Sequence, residues 1–263
     1  MHGVHGFLGM LARLVRDRRP AALAVALDAD WRPAFRVEAL PSYKAQRVAE
    51  EGEEDPVAPQ AELGEAIVRA FGIAVVGADG FEAEDVIATL ARRTQGRVEI
   101  VSGDRDTFAL VRDPDVRVLY PIKGVSELLE VDEAEISRRY GIPGRAYADF
   151  AILRGDPSDN LPGVPGIGEK TAARMIAQYG SLTQLLRART VPAPVARRLA
   201  AAHAYLAAAR RVVAPVATVP LPRVSLRLPT EVGNGCLLAR AAREHRLEGA
   251  ITRLRQALLA LDS

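Results

Sequence analysis

Residues 96–106 read "GRVEIVSGDRD": a β-branched run, Val98 to Val101, that ends on Ser102-Gly103-Asp104 and then Asp106. A short apolar run bounded by glycine and turn residues predicts a buried strand. The pattern recurs in "AALAVALDAD" (residues 21–30), where Ala21 to Leu27 ends on Asp28. A third run, "GIAVVGADG" (72–80), precedes the amphipathic stretch "FEAEDVIATLARR" (81–93). Strands alternating with helices predict an α/β fold with a parallel sheet. Such sheets bind ligands beyond the carboxyl ends of their strands. Asp28, Asp104 and Asp106 fall at those ends.

The 263 residues suffice for one large domain or two modest ones, and a 49% hydrophobic content predicts a sizeable core. No apolar run is long enough to span a bilayer and the start lacks a signal-peptide pattern, so a cytoplasmic protein is expected. At the start, Val4, Phe7, Leu8, Leu11, Leu14 and Val15 recur at helical spacing and predict a core-facing helix. The single cysteine, Cys236, excludes an internal disulfide and is expected to be buried. His2, His5, His203 and His245 are scattered and offer no zinc-ligand spacing. Net charge is +2, yet from Leu161 onward there are 15 basic against 5 acidic residues. Taken from totals of 35 and 33, this leaves 20 against 28 for residues 1–160. The asymmetry suggests an acidic site in one half and a polyanion contact in the other, although solvated helices can differ in charge for no such reason.

"AEEGEEDPVAP" (49–59) is acidic, holds two prolines and reads as a mobile loop. After residue 145 the pattern is mostly helical, over 146–155, 168–179, 181–189, 193–211 and 236–260. The stretch "VVAPVATVPLPRVSLRLP" (212–229) interrupts it as an extended connection.

The carboxylates form four clusters: Asp28; Glu82, Glu84 and Asp85; Asp104 and Asp106; Asp156 and Asp159. Eight converging acids would repel one another, and hard cations such as Mg²⁺ or Mn²⁺ remove that repulsion. Two such ions can serve phosphodiester hydrolysis. Each cluster also has a plainer account. Acids at 82–85 suit a helix N-terminus, Asp156 and Asp159 suit a cap, and Asp104 suits an Asx turn.

"RGDPSDNLPGVPGIGEKTA" (154–172) places Gly163, Gly166 and Gly168 in a hairpin before a helix that carries Lys170, Thr171 and, one turn on, Arg174. Glycines admit close backbone approach and a helix N-terminus attracts phosphate, so these residues are candidates for holding DNA without reading its sequence. An ordinary helix–turn–helix connection is the alternative.

In this order, "LDADWRPAFRVEALPSYKAQR", "GFEAEDVIATLA", "VSGDRDTFALV" and "RGDPSDNLPGVPGIGEKTA" make the chain resemble the 5′-3′ exonuclease and flap-endonuclease family. The match is to the nuclease domain of bacterial DNA polymerase I and stand-alone actinobacterial relatives, from "VHGFLGMLARL" to "ITRLRQALLAL". The resemblance implies a PIN-like α/β nuclease core (1–145) and a helix–three-turn–helix and C-terminal helical region (146–263). It implies two-metal hydrolysis of DNA at 5′ ends, flaps or junctions by a monomer, with K⁺ at the hairpin. Asp28, Glu82, Glu84, Asp85 and Asp104 match the first-metal cluster; Asp106, Asp156 and Asp159 match the second. Tyr43, Lys44 and Arg47 in "SYKAQR" match a gateway that steers the 5′ strand and stabilises charge on the phosphate. Glu84 stands where the family usually has aspartate. The family's first strand, with its own metal-binding aspartate, has no counterpart within the 263 residues, and the true start is expected upstream of Met1. The alternatives are a catalytically weakened DNA-binding protein of the same fold and a PIN-type ribonuclease.

Overall fold

The computed structural model describes residues 2–48, 57–124 and 126–261. Along the chain, α1 (His2–Arg18) and β1 (Ala24–Ala26) lead to the short α2 (Ala34–Ala39) and α3 (Ala45–Val48). Then α4 (Ala58–Phe71), β2 (Ala74–Val76), α5 (Ala83–Arg93) and β3 (Val98–Val101) alternate. β4 (Val116–Pro121), β5 (Leu128–Val131) and α6 (Glu133–Tyr140) follow. The rest is helical: α7 (Tyr147–Arg154), α8 (Glu169–Tyr179), α9 (Leu182–Arg187), α10 (Ala193–Ala201), α11 (His203–Val212), α12 (Gly235–His245) and α13 (Glu248–Leu259). Two compact units result, one from Met1–Leu27, Glu51–Gly77 and Leu221–Ser263, the other from Asp28–Glu50 and Ala78–Pro220.

In the first unit α1 buries Val4, Leu8, Leu11 and Val15, one face of a 3.6-residue repeat, with Phe7 at the margin of the same cluster. That face meets Ile67, Val68 and Phe71 of α4 and Ile251, Leu254 and Leu258 of α13. β1 and β2 pair in parallel, Val25 opposite Val75. Part of the proline-rich stretch joins them: Leu23 N–H donates to Leu226 O at 2.8 Å. The helix expected over 236–260 is two helices, turned at Arg246, whose φ of 56° leaves the helical region. Cys236 is exposed, contrary to expectation. It lies roughly 200° around α12 from the buried Leu238.

In the second unit β3 and β4 pair in parallel and β4 and β5 antiparallel. The antiparallel arm was not expected. The helix predicted over 193–211 breaks at Ala202, so that α10 buries Val195 and Leu199 while α11 buries Leu206 and Ala209. Residues 49–56 of the expected loop lie outside the described residues; from Ala58 the chain is helical, with Pro59 in the first turn, where its missing N–H costs nothing.

Two features of this unit fix where the acids stand. The turn after β3 sinks Phe108 into an aromatic cluster, its ring centroid 5.3 Å from that of Tyr147, which anchors Asp104 and Asp106 on a packed base. The turn after α7 is closed by two glycines in the left-handed region, Gly155 (φ 84°) and Gly163 (φ 69°). A Cβ on Gly163 would lie 2.5 Å from the Arg154 carbonyl oxygen. Paired bonds between Asp156 and Leu161, of 2.9 and 2.8 Å, complete the loop that presents Asp156 and Asp159.

Candidate active site

The second unit holds all four acid clusters. Glu82, Glu84, Asp104, Asp106 and Asp159 line one pocket of about 20 Å³, together with Arg36, Tyr43 and Lys44. It has room for a water-sized species. The plainer accounts of these acids hold as well. Glu82 and Asp85 form a capping box on α5, Asp104 Oδ1 accepts from Asp106 N–H at 2.8 Å, and Asp156 Oδ1 accepts from Ser158 N–H at 2.9 Å. A carboxylate has about four lone-pair sites, so capping a turn leaves capacity to spare.

Cationic side chains divide the acids into two groups. Arg36, only 2% exposed, pairs with Glu82 at 2.6 Å and with Asp85 at 2.7 Å. Lys44 pairs with Glu82 as well. Arg47 pairs with Asp159 at 3.1 Å and Arg154 with Asp156 at 3.4 Å. Eight carboxylates against these four cations leave an excess of four negative charges. Asp85 does not join the pocket lining.

The "SYKAQR" segment is tied to the Asp156–Asp159 loop. Lys44 N–H donates to Asp159 O at 3.0 Å, Gln46 Nε2 to Ser158 O at 2.8 Å, and Asn160 Nδ2 to Ser42 O at 2.8 Å. Lys44 is held at φ 50°, a strained backbone of the kind found at functional sites. Tyr43 is buried, and its hydroxyl donates to Glu82 at 2.9 Å. Burial, then the adjacent Glu82 charge, raises its phenol well above the usual range, so it stays a neutral donor. Tyr43 therefore orients an acid and offers no ring to a passing strand. Arg36 escaped sequence reasoning, because nothing marks an arginine in "PAFRVEA" as buried.

The hairpin glycines do three different things. Gly163 permits the backbone crossing described above. Gly166 (φ 77°) lies under Arg198, which donates from Nη1 to its carbonyl at 2.9 Å. Gly168, at the N-terminus of α8, faces open space. Lys170 and Arg174 are exposed on the first turns of α8.

Burial first, and then Asp104, Asp159, Asp156 and Glu84, push Asp106 up to about 8. Burial likewise pushes Glu84 up to about 7, with Asp104, Glu82 and Asp28 adding. Because each of the two is also raised by several of the other carboxylates, the acids share one electrostatic volume. The donor atoms that the acids offer it are oxygens, which suit a hard divalent cation. Among the described residues no three acids are drawn tightly enough to form a finished cage. Magnesium takes few direct protein ligands and keeps its water.

A pH dependence follows. Both carboxyls titrate above their ordinary values of 4.5 and 3.8, so the folded state holds their protons longer than the unfolded chain. Without divalent ions, the stability these two groups contribute is full below about pH 4 and is lost as pH rises through about 7 to 8. Mg²⁺ should raise Tm more at pH 8 than at pH 6, because it binds ionised carboxylates. Melting curves in chelator and in Mg²⁺ check this; an equal Mg²⁺ effect at both pH values would count against these acids as ion ligands.

Comparison with known proteins decides the family. The description "5′-3′ exonuclease, N-terminal resolvase-like domain" matches residues 1–141, and "5′-3′ exonuclease, C-terminal SAM fold" matches residues 142–231. The chain belongs to the 5′-3′ exonuclease family. This exonuclease is 48% identical over 275 residues to a 5′-3′ exonuclease of Streptomyces coelicolor, covering 99% of this chain and 91% of that protein. It is 44% identical to a 5′-3′ exonuclease of Mycobacterium tuberculosis, covering 98% and 88%. With a DNA polymerase I of Mycobacterium bovis it shares 49% over 188 residues, 70% of this chain and 20% of the polymerase. In fold, the exonuclease is similar to the bacteriophage T5 flap endonuclease solved with DNA and metal ions (TM-score 0.63, 16% identity, 97% and 90% covered). It is also similar to the catalytic core of Rad2 solved with a DNA substrate (TM-score 0.53, 18% identity, 94% and 83% covered). The α/β core with parallel pairing and the helical C-terminal half are thus those expected of the family.

Proposed function

We propose that this exonuclease hydrolyses phosphodiesters at 5′ ends and 5′ flaps of duplex DNA in replication and repair, acting as a cytoplasmic monomer. The observation that carries the reading is the crowding of Glu82, Glu84, Asp104, Asp106 and Asp159 around one pocket that only Arg36 and Lys44 join as cations, an excess of negative charge suited to divalent cations. Asp28, Glu84, Asp104, Asp106 and Asp156 would hold Mg²⁺ or Mn²⁺, with Glu82 and Asp159 at the border where Lys44 and Arg47 meet them. Bound there, the ions would supply water activation and stabilisation of the leaving oxygen. Lys44 and Arg47 stand at the same border, where their charge can pass from acids to an entering phosphate. Residues 1–145 would carry the chemistry and 146–263 the duplex contact, a division supported by family descriptions that meet at 141 and 142. A K⁺ ion at the hairpin would have to share the Gly166 carbonyl with Arg198.

At the hairpin, the open Gly168, Thr171, Lys170 and Arg174 offer a phosphate a backbone N-terminus and two mobile charges. Lys170→Ala and Arg174→Ala should each weaken duplex binding for all sequences and reduce the slope of log K against log[salt] by about 0.9, with little change in kcat at saturating DNA. Fluorescence anisotropy across a salt series measures this. The function itself is tested with Mg²⁺ and matched substrates carrying a DNA flap, an RNA flap or no flap. Cutting of the DNA flap and of the unflapped duplex from its 5′ end, with the RNA flap left intact, supports the proposal. Binding without cutting would leave a DNA-binding protein, and preference for the RNA flap would make it a ribonuclease.

A further inference from the structure

We infer that Asp85, which the sequence groups with the cation ligands, is instead the anchor of a buried arginine clasp, with Arg36 as a positioning residue for the acids of α5. The inference rests on the nuclease reading above. Asp85 is fully buried, at 0% exposure. Its Oδ1 accepts from Arg36 Nη2 at 2.7 Å and from Val216 N–H at 2.7 Å. Its Oδ2 accepts from Arg36 Nη1 at 2.7 Å and from Glu82 N–H at 3.2 Å. Four donors fill the capacity of a carboxylate, which leaves no lone pair for an ion. Glu82 and Glu84 line the pocket, whereas Asp85, the next residue after Glu84, does not.

Arg36 extends the clasp. Its Nε donates to Val212 O at 2.9 Å, and its guanidinium also pairs with Glu82. One planar fork thus joins α2, the start of α5 and the last residue of α11. Glu82 and Glu84 ride on the start of α5, so the clasp fixes where they stand relative to the chain that leaves the helical half. A lysine carries the same charge but cannot make these divergent bonds from one plane.

The test compares Asp85→Asn, Arg36→Lys and Glu84→Gln. In Asp85→Asn and Arg36→Lys, kcat on a 5′-flap duplex should fall by about tenfold or more with KM unchanged, while the Mg²⁺ concentration for half-maximal rate stays within about twofold of wild type. Glu84→Gln should raise that concentration by about tenfold or more. Calorimetric titration with Mg²⁺ alone reads the same contrast without any cleavage. If Asp85→Asn does not fold, Arg36→Gln with Asp85→Asn removes both members of the pair together, which buried ion pairs tolerate better than the loss of one. Mg²⁺ affinity near wild type in whichever variant folds upholds the clasp. A loss of Mg²⁺ affinity matching that of Glu84→Gln makes Asp85 an ion ligand and overturns it. Wild-type protein that binds Mg²⁺ and cuts nothing would defeat the nuclease reading alone, and the calorimetric contrast would still decide the clasp.

Discussion

Asp106→Asn is expected to lower Mg²⁺-dependent cleavage of a 5′-flap duplex by about a thousandfold, on the order of 4 kcal/mol of barrier, while DNA binding persists. Asp106 is the acid most exposed to the charge of the others: Asp104, Asp159, Asp156 and Glu84 all raise it. None of the ion pairs among the described residues engages it. Asparagine has almost the same shape, and the local turn is closed by the Asp106 backbone N–H rather than its side chain, so the variant removes a charge and little else. Asp104→Asn and Asp156→Asn should behave alike. Their oxygens cap Asp106 and Ser158 N–H groups, a task asparagine also performs. Alanine would mix loss of charge with loss of the turn. Single-turnover cleavage and anisotropy on the same preparations measure the two effects. Wild-type cleavage by any of the three would take these carboxylates out of the chemistry.

The second large effect is on stability. Gly163→Ala should destabilise the protein by about 3 kcal/mol or more, from left-handed strain of about 1 kcal/mol and a steric overlap with backbone that cannot move aside. At this chain length the loss corresponds to a fall in Tm of roughly 6–12 °C. The added Cβ meets the Arg154 carbonyl at 2.5 Å, its carbon at 2.7 Å and Gly155 N at 2.7 Å. Gly168→Ala is the control. Its Cβ meets nothing within 4 Å and its backbone is extended, so the cost is about 1 kcal/mol, that of alanine at an N-cap. Calorimetric melts of the two variants separate a glycine that closes a loop from one that faces open space. Equal stability of both would mean that the 155–163 crossing is looser than the structure shows.

The periodic elements were legible because burial dictates them. Val4, Leu8, Leu11 and Val15 repeat at helical spacing whatever lies across from them, and α1 forms there. β3 is β-branched and ends at its polar turn as expected. β4 and β5 went unnoticed, since an antiparallel arm is defined by its partner strand and neither segment stands out alone. The breaks at Ala202 and Arg246 were missed for a related reason. Both halves of each stretch remain helical in pattern, and only packing against separate neighbours makes the turn worthwhile.

At the site, the sequence by itself determined the family, the α/β order and the acid clusters, because carboxylates after strands and at helix starts keep their spacing in one dimension. The tertiary structure alone decided what each charge does. A buried arginine pairs with Asp85, a lysine and a tyrosine hold Glu82, and Gly163 permits a close backbone crossing. The physical reason is that spacing fixes which groups share an element, whereas charge pairing and close contact depend on distances across elements that only folding sets.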